Sequence, residues 1–248
     1  MSFDEVLALE ERAMNAWPAL ETRMVGGWAL RFARGYTKRA NSANALRPTA
    51  PFQEVKAAAQ AFYARQGLPT IFRISPLAQP DADKVLNEEG YTLFDRSLVM
   101  RASLGKGDAN TAVTIESAPS TEWLDGLANA NGIPVSMRSM HNAIVRSIKK
   151  SAAFATLRQR HRAVGFGLGV YEQGWIGLFD IAVAPEERGH GFGRAITAAL
   201  LHWGQQTGAR AAYLQVHDVN EIALNLYISL GFVEAYRYHY RTSVPENA

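Results

Sequence analysis

The sequence predicts an α/β fold. The first observation is a strand-like apolar run from Leu178, which leads into a loop with three glycines and then into a run of helical periodicity. Those glycines are Gly189, Gly191 and Gly193, and the apolar positions of the helical run are Ile196, Ala199, Leu200 and Trp203. The second observation is that short apolar runs and helical runs alternate elsewhere in the chain, with glycine and proline between them.

The N-terminal part begins with a helix. Ser2 and Glu5 have the spacing of a capping box, and the helix should end near Trp17, before Pro18. Two strand-like runs around Gly26-Gly27 predict a hairpin, 22–25 with 28–32. The elements expected after it are a polar loop at 39–44, a helix at 52–66, a strand at 70–74, a helix at 81–89 and a strand at 91–100.

The run Leu104–Asn110 is rich in glycine and small polar residues, which is typical of a linker. It predicts two domains, 1–104 and 111–248. In the second domain we expect strands at 113–116, 153–159, 163–172, 175–183 and 212–216, and helices from 121 (capped by Ser120), at 134–150 and at 219–229.

Composition limits the function classes. The 248 residues are 48% hydrophobic and 20% charged, as in ordinary globular proteins, and long enough for a sizeable core. Cysteine is absent, which excludes disulfides and thiolate metal sites. The N-terminus lacks the layout of a signal peptide, and no window has the roughly 18 apolar residues of a membrane span. We therefore expect a cytoplasmic protein that does not bind membranes.

Charge and histidine spacing argue against two further classes of partner. The net charge is +3, and the basic residues are scattered rather than gathered on one face, so nucleic-acid binding is not expected. The histidines show no paired metal-ligand spacing, so no metal is expected. We interpret His141, His161, His190, His202 and His239 as surface or core residues.

The glycine loop can bind an anion. Glycines allow close approach of the backbone to a ligand, and the N–H groups at a helix N-terminus are suited to a phosphate. A dinucleotide site would need Gly-x-Gly-x-x-Gly directly after its strand. Here Pro185–Arg188 intervenes and the third glycine comes one place early, so a dinucleotide site is the poorer interpretation.

Two blocks together resemble the GNAT family of acetyl-CoA-dependent N-acyltransferases. The first is Arg188-Gly-His-Gly191-Phe-Gly193, which is similar to the family's Arg/Gln-x-x-Gly-x-Gly/Ala. The second runs from Asn220 to Phe232, and its matching residues are Asn220, Ala223, Leu226, Tyr227, Leu230, Gly231 and Phe232. The resemblance covers residues 161–241 closely and implies a GNAT fold with a mixed sheet.

The resemblance also implies roles for named residues. The pyrophosphate of acetyl-CoA would bind at the loop residues Arg188, Gly189, His190, Gly191, Phe192, Gly193 and Arg194. The pantetheine arm would pair with the backbone of Ile181, Ala182 and Val183. Asn220 would hydrogen-bond the cofactor or cap a helix, or do both. Tyr227 would protonate the leaving thiolate, and its alternative role is that of a core tyrosine.

The general base is less well defined. Asp180 is the only carboxylate within the apolar run 175–183, and strand alternation places it on the face opposite Ile181 and Val183. It is a candidate base or, alternatively, a structural hydrogen-bond acceptor where strands splay apart. Glu172 and His217 are weaker candidates.

An internal similarity predicts two GNAT-like halves. Residues 81–101 and 222–241 both follow the pattern of a short helix, a Gly-aromatic pair and a strand with an arginine near its end. On the spacing of the second half, the first half's anion loop would lie at 45–55, where no glycine is present and Pro48 and Pro51 remove N–H donors. We therefore expect a degenerate N-terminal half and a single acetyl-CoA site.

The expected function is transfer of an acetyl group from acetyl-CoA to a primary amine, on a small molecule or a peptide. Trp28, Arg31 and Asn41, with Arg39 nearby, could recognise the acceptor, or they could be a core tryptophan with solvated arginines. The alternative function is a non-catalytic acyl-CoA-binding or regulatory module. The sequence identifies neither the acceptor nor the oligomeric state.

Overall fold

A computed structural model of the protein describes residues 1–105 and 112–243, and these form two compact units. Unit 1 comprises Met1–Val99, His217–Val219 and the residues from Glu234 onward, and unit 2 comprises Met100–Val216 and Asn220–Val233. The expected linker lies largely outside the described residues. The units also differ from a linear division of the chain, because the C-terminal residues belong to unit 1.

Unit 1 contains most of the N-terminal elements predicted from the sequence. Its helices are α1 (Phe3–Ala16), α2 (Phe52–Ala64) and α3 (Ala82–Glu88), and its first strands are β1 (Glu21–Val25), β2 (Trp28–Phe32), β3 (Ala43–Ala45) and β4 (Ile71–Ile74). The strand β5 (Thr92–Ser103) starts in unit 1 and ends in unit 2. The capping box is confirmed, since Glu5 N–H donates to Ser2 Oγ at 3.2 Å and Ser2 N–H to the Glu5 carboxylate at 2.7 Å.

The sheet of unit 1 explains why the C-terminus returns to it. Strand β11 (Val233–Thr242) pairs antiparallel with β4, with Tyr240 opposite Arg73. On the other side of β4 lies β3, in parallel, and β3 pairs antiparallel with β2. The sequence prediction of a loop at 39–44 was wrong for this short strand, because Ala43-Asn44-Ala45 lacks the β-branched and aromatic residues that indicate strands.

Unit 2 has helices on both faces of its sheet. Its elements are β6 (Val113–Glu116), α4 (Thr121–Ala130), α5 (Val135–Arg146), β7 (Ser151–Gln159), β8 (Arg162–Glu172), β9 (Trp175–Val183), α6 (Phe192–Gln206), β10 (Ala211–His217, whose last residue belongs to unit 1) and α7 (Glu221–Ser229). The strand order is β10-β9-β8-β7-β6. A side chain at Gly126 on α4 would collide with Phe166, whereas one at the neighbouring strand position Gly167 would collide with Ile196 of α6. Because neighbouring strand positions face opposite sides, α4 and α6 cover opposite faces.

The two units share one pairing pattern. In unit 1, β1, β2 and β3 form an antiparallel meander and β4 joins β3 in parallel. In unit 2, β7, β8 and β9 form the same meander and β10 joins β9 in parallel. Each pattern also has a helix between its parallel strands, α2 in unit 1 and α6 in unit 2. No helix of residues 1–105 and 112–243 is long and apolar enough to cross a membrane.

Candidate active site

Strands β9 and β10 separate part-way along their length. Their parallel ladder runs from Trp175 opposite Ala211 to Leu178 opposite Leu214. Strand β9 continues to Val183, where it is still paired with Gly165 of β8. The backbone of 181–183 is therefore hydrogen-bonded along one edge and lies beyond the end of the ladder along the other. Such an edge can pair with an extended ligand, which is the role that the family resemblance implied for these residues.

A β-bulge at Asp180 accompanies this separation. Phe166 of β8 is opposite Ala182, but Leu168 is opposite Phe179, so two residues of β9 face the single residue Gly167. Asp180 has φ +50°, which is uncommon for a residue other than glycine. An added residue bends a strand and interrupts pairing, so the bulge stands at the point where β9 leaves β10.

The bulge also sets the side-chain directions. The Asp180 carboxylate contacts His141, whose imidazole stacks on Trp123 of α4, whereas Ile181 lies over Gly167 on the side covered by α6. Asp180 and Ile181 therefore face opposite sides, as alternation predicted. The carboxylate side chain is 12% exposed, so it is partly shielded without being sealed from solvent.

The N-terminus of α6 has the features of an anion site. Its first helical hydrogen bond runs from Ala195 N–H to the carbonyl of Gly191, which leaves the N–H groups of 192–194 without helical acceptors. Gly189 and Gly191 have φ +82° and +78°, and no heavy atom lies within 4 Å of a Cβ built on either one. The backbone there is open to a ligand, and no acidic residue occupies the first turn of α6. The glycines and the N–H groups at the N-terminus of α6 therefore fit a pyrophosphate.

Three polar side chains of the loop have internal partners. Arg188 donates through Nε to the Val183 carbonyl at 3.2 Å and through Nη2 to the Ala130 carbonyl at 3.3 Å. His190 Nδ1 lies 3.1 Å from the Glu187 carbonyl, and Arg194 Nη1 donates to Ser229 Oγ at 2.7 Å. These contacts fix the loop relative to β9, α4 and α7. Contact of these residues with the cofactor stays a prediction.

The second sequence block forms α7 and the turn after it. Asn220 caps α7, with its Oδ1 accepting from Ala223 N–H at 3.1 Å. Tyr227 is buried, its ring centroid lies 5.9 Å from that of Phe232, and its hydroxyl makes no hydrogen bond within the described part of the chain. Burial raises the pKa of Tyr227 to about 12. The phenol therefore stays protonated at neutral pH.

The three candidate bases have different surroundings. Asp180 Oδ2 lies 3.1 Å from Nε2 of His141, a fully buried residue of α5. Glu172 is bound by Lys150, with Nζ 2.7 Å from Oε1. In unit 1, His217 Nε2 lies 3.2 Å from Asp95 Oδ1. Only Asp180 belongs to the bulge beside the open edge of β9.

Sequence reasoning overlooked His141 as a functional residue, because it lies 39 positions before Asp180 and belongs to no metal-ligand or catalytic motif. A usable signal was present, however. His141 shares one helical face with Ile144 and Val145, and all three are buried. A histidine on the apolar face of a helix needs a polar partner, and the only carboxylate within the buried run 175–183 was a candidate for that partner.

The expected acceptor residues of unit 1 lie in its interior. Trp28 is fully buried and packs on Phe52, with ring centroids 5.5 Å apart. Arg31 is 4% exposed and donates to main-chain carbonyls, including that of Met14 at 3.2 Å. Asn41 uses its whole amide group on main-chain atoms of 33–37. These polar groups are engaged inside unit 1, and the expectation of solvated residues was wrong for Arg31. A role in acceptor binding stays a prediction.

Comparison with known proteins agrees with this arrangement. The sequence model of a family described as "Probable histone acetyltransferase Rv0428c C-terminal" matches residues 4–241. The chain is 30% identical over 246 residues to an uncharacterized N-acetyltransferase, YobR, of Bacillus subtilis, and the match covers 96% of this chain and 98% of that protein. The chain belongs to this family of GNAT acetyltransferases.

Solved structures share the fold of this GNAT acetyltransferase. A GCN5-related N-acetyltransferase from Kribbella flavida has a TM-score of 0.72 at 15% identity and covers 96% of each chain. A tandem GNAT protein from the clavulanic acid biosynthesis pathway has a TM-score of 0.63 at 13% identity, covering 96% of this chain and 88% of that one. The family match and the N-acetyltransferase relative show an acyltransferase enzyme, and the solved structures show its mixed α/β GNAT fold. Among its described residues no group of three or more His, Asp or Glu side chains could hold a metal ion.

Proposed function

We propose that the enzyme transfers an acetyl group from acetyl-CoA to a primary amine, and that the site lies in unit 2. The observation that carries this proposal is the succession, within one βα unit, of the bulge, the open edge of 181–183 and the open N-terminus of α6. An extended arm can pair with the strand edge while a pyrophosphate binds at the helix N-terminus. The strand edge and the helix N-terminus both bind through backbone groups, which fits a ligand held mainly by the main chain.

Each proposed catalytic residue has a separate task. When bound, acetyl-CoA supplies an acetyl group activated as a thioester. Asp180 would accept a proton from the ammonium group of the acceptor, directly or through water, and so free the nitrogen lone pair for attack. Tyr227, which keeps its proton because burial raises its pKa to about 12, would donate it to the leaving thiolate. The partial exposure of Asp180 leaves a path for that proton to reach solvent.

We also propose that unit 1 is a degenerate copy that binds no cofactor. The shared pairing pattern and the likeness to a tandem GNAT protein support a duplicated fold. The helix of unit 1 that corresponds to α6 is α2, which begins after Pro51 and carries Glu54 in its first turn. Proline removes an N–H donor and the carboxylate repels an anion, so this helix N-terminus is unsuited to a pyrophosphate.

Two measurements test these proposals. Free-thiol release from acetyl-CoA, followed across a panel of amines, should show turnover with at least one acceptor, whereas affinity without thiol release would support the non-catalytic module. Titration calorimetry should give a stoichiometry near one acetyl-CoA per chain. A stoichiometry near two would show that unit 1 is a working site.

A further inference from the structure

His141 is the buried partner of the bulge. Its side chain is 0% exposed, and its imidazole stacks on Trp123 of α4 with ring centroids 6.5 Å apart and planes inclined by 14°. The Trp123 indole is itself fixed, because Nε1 donates to the Ala155 carbonyl of β7 at 3.0 Å. The imidazole therefore has a defined position between α4 and the sheet. From that position Nε2 lies 3.1 Å from Asp180 Oδ2.

The direction of this hydrogen bond follows from the chemistry of its partners. In the ionised form that a general base requires, the Asp180 carboxylate only accepts, and Nε2 of His141 is then the donor. The hydrogen bond stabilises both residues. A buried imidazole requires a hydrogen-bond partner for its polar atoms, and the backbone of Asp180 requires a stabilising contact to remain at φ +50°.

We propose that His141 is a positioning residue: by holding the Asp180 carboxylate it keeps Asp180 in the bulge, and so keeps residues 181–183 of β9 open to acetyl-CoA. The inference rests on the proposed function. If Asp180 relaxed to ordinary strand geometry, the bulge would be lost and the pairing of β9 with β8 would shift by one residue. Strand β9 could then continue its ladder with β10. Strand β10 would then occupy the edge of β9 that is proposed to bind the pantetheine arm.

The sharpest test separates the hydrogen bond from the backbone conformation that it supports. His141→Leu leaves a side chain of moderate size but removes the donor, whereas His141→Gln retains an N–H near the position of Nε2. Asp180→Gly removes the carboxylate but adopts φ +50° without strain. Titration calorimetry with acetyl-CoA reads out binding alone, so loss of the candidate base does not confound it. His202→Leu, a half-exposed histidine of α6, is the matched control.

We expect His141→Leu to weaken acetyl-CoA binding by about tenfold or more, and His141→Gln to stay within about threefold of the parent. In the Asp180→Gly background, the same His141→Leu change should alter affinity by less than about twofold, because glycine holds the bulge unaided. His202→Leu should leave affinity unchanged. The Nε2 proton of His141 should also give a protected imidazole N–H signal by NMR, which disappears in Asp180→Gly.

Failure of this inference can be distinguished from failure of the proposed function. Unchanged affinity in a folded His141→Leu protein would overturn the inference, and so would an equal loss in the Asp180→Gly background. Should His141→Leu not fold, His141→Asn serves in its place, because its shorter amide does not reach Asp180. Failure of the parent protein to bind acetyl-CoA would instead refute the proposed function.

Discussion

The Oδ1 atom of Asn220 accepts a hydrogen bond from the backbone N–H of Ala223 at 3.1 Å. Only the carbonyl half of this side chain is used in capping α7. Its Nδ2 group remains a possible donor to the cofactor, so the two roles expected from the sequence use different atoms. Substitutions can therefore separate them.

Asn220→Asp should keep the cap and lose the amide donor, whereas Asn220→Ala should lose both. We expect the Asp variant to have the parent's thermal stability but weaker acetyl-CoA binding, since a carboxylate only accepts. The Ala variant should in addition lose about 1 kcal/mol of stability. Thermal denaturation and calorimetry measure the two effects. Parent-like affinity in both variants would show that Asn220 caps α7 and does not bind the cofactor.

Gly191→Glu should eliminate acetyl-CoA binding, because a side chain and a negative charge would enter the space at the N-terminus of α6. Gly174→Glu is a matched control in the same unit. Gly174 has φ +80° against +78° for Gly191, and a Cβ on either one meets nothing within 4 Å. Backbone strain should therefore be similar in the two proteins, and only the first should lose binding by calorimetry. Equal loss in both would indicate strain rather than occupation of the site.

Tyr227→Phe should lower kcat by about 10- to 1,000-fold while cofactor affinity stays nearly constant, since only the proton donor is removed. Burial raises the pKa of Tyr227 to about 12, so the donor form persists at every pH below that value. The parent's rate should accordingly show no alkaline decline due to Tyr227 between pH 7 and pH 10. An unchanged kcat in Tyr227→Phe would mean that the proton comes from solvent.

Asp180→Asn should remove or shift the acidic limb of the pH–rate profile, because an amide cannot accept the proton from the acceptor amine. Glu172→Gln provides the comparison, since Glu172 is held by Lys150 at 2.7 Å and is not part of the bulge. We expect its profile to match the parent's. If instead the Glu172 variant loses the limb while Asp180→Asn loses only stability, the base has been misassigned.

Asn41→Ala should destabilise unit 1 without affecting the acceptor. Asn41 Oδ1 accepts from Ala33 and Gly35 N–H at 2.8 and 2.9 Å, and its Nδ2 donates to the carbonyls of Tyr36 and Thr37. Losing these buried bonds should cost about 2–4 kcal/mol. Denaturant unfolding measures the cost, with the exposed Asn131→Ala as control. A stable variant with a raised KM for the acceptor would show that Asn41 takes part in acceptor binding.

Features that depend on neighbouring residues can be predicted from the sequence. The capping box at Ser2, the hairpin at Gly26-Gly27, the helix cap at Asn220 and the strand–glycine loop–helix succession depend on neighbours within a few positions, so residue type and spacing predict them. The two sequence blocks also indicated the family, because their spacing follows from one continuous βαβα segment.

Contacts between distant parts of the chain become visible in the folded protein. The tertiary structure brought His141 to Asp180, placed β11 beside β4 in unit 1 and enclosed Arg31 in the interior. It also introduced the bulge at Asp180, where the extra residue interrupts strand alternation, so that Phe179 and Ala182 lie on the same face although they are three positions apart. Periodicity along a strand or helix records which face is apolar, whereas register, strand order and side-chain partners depend on residues far away in sequence.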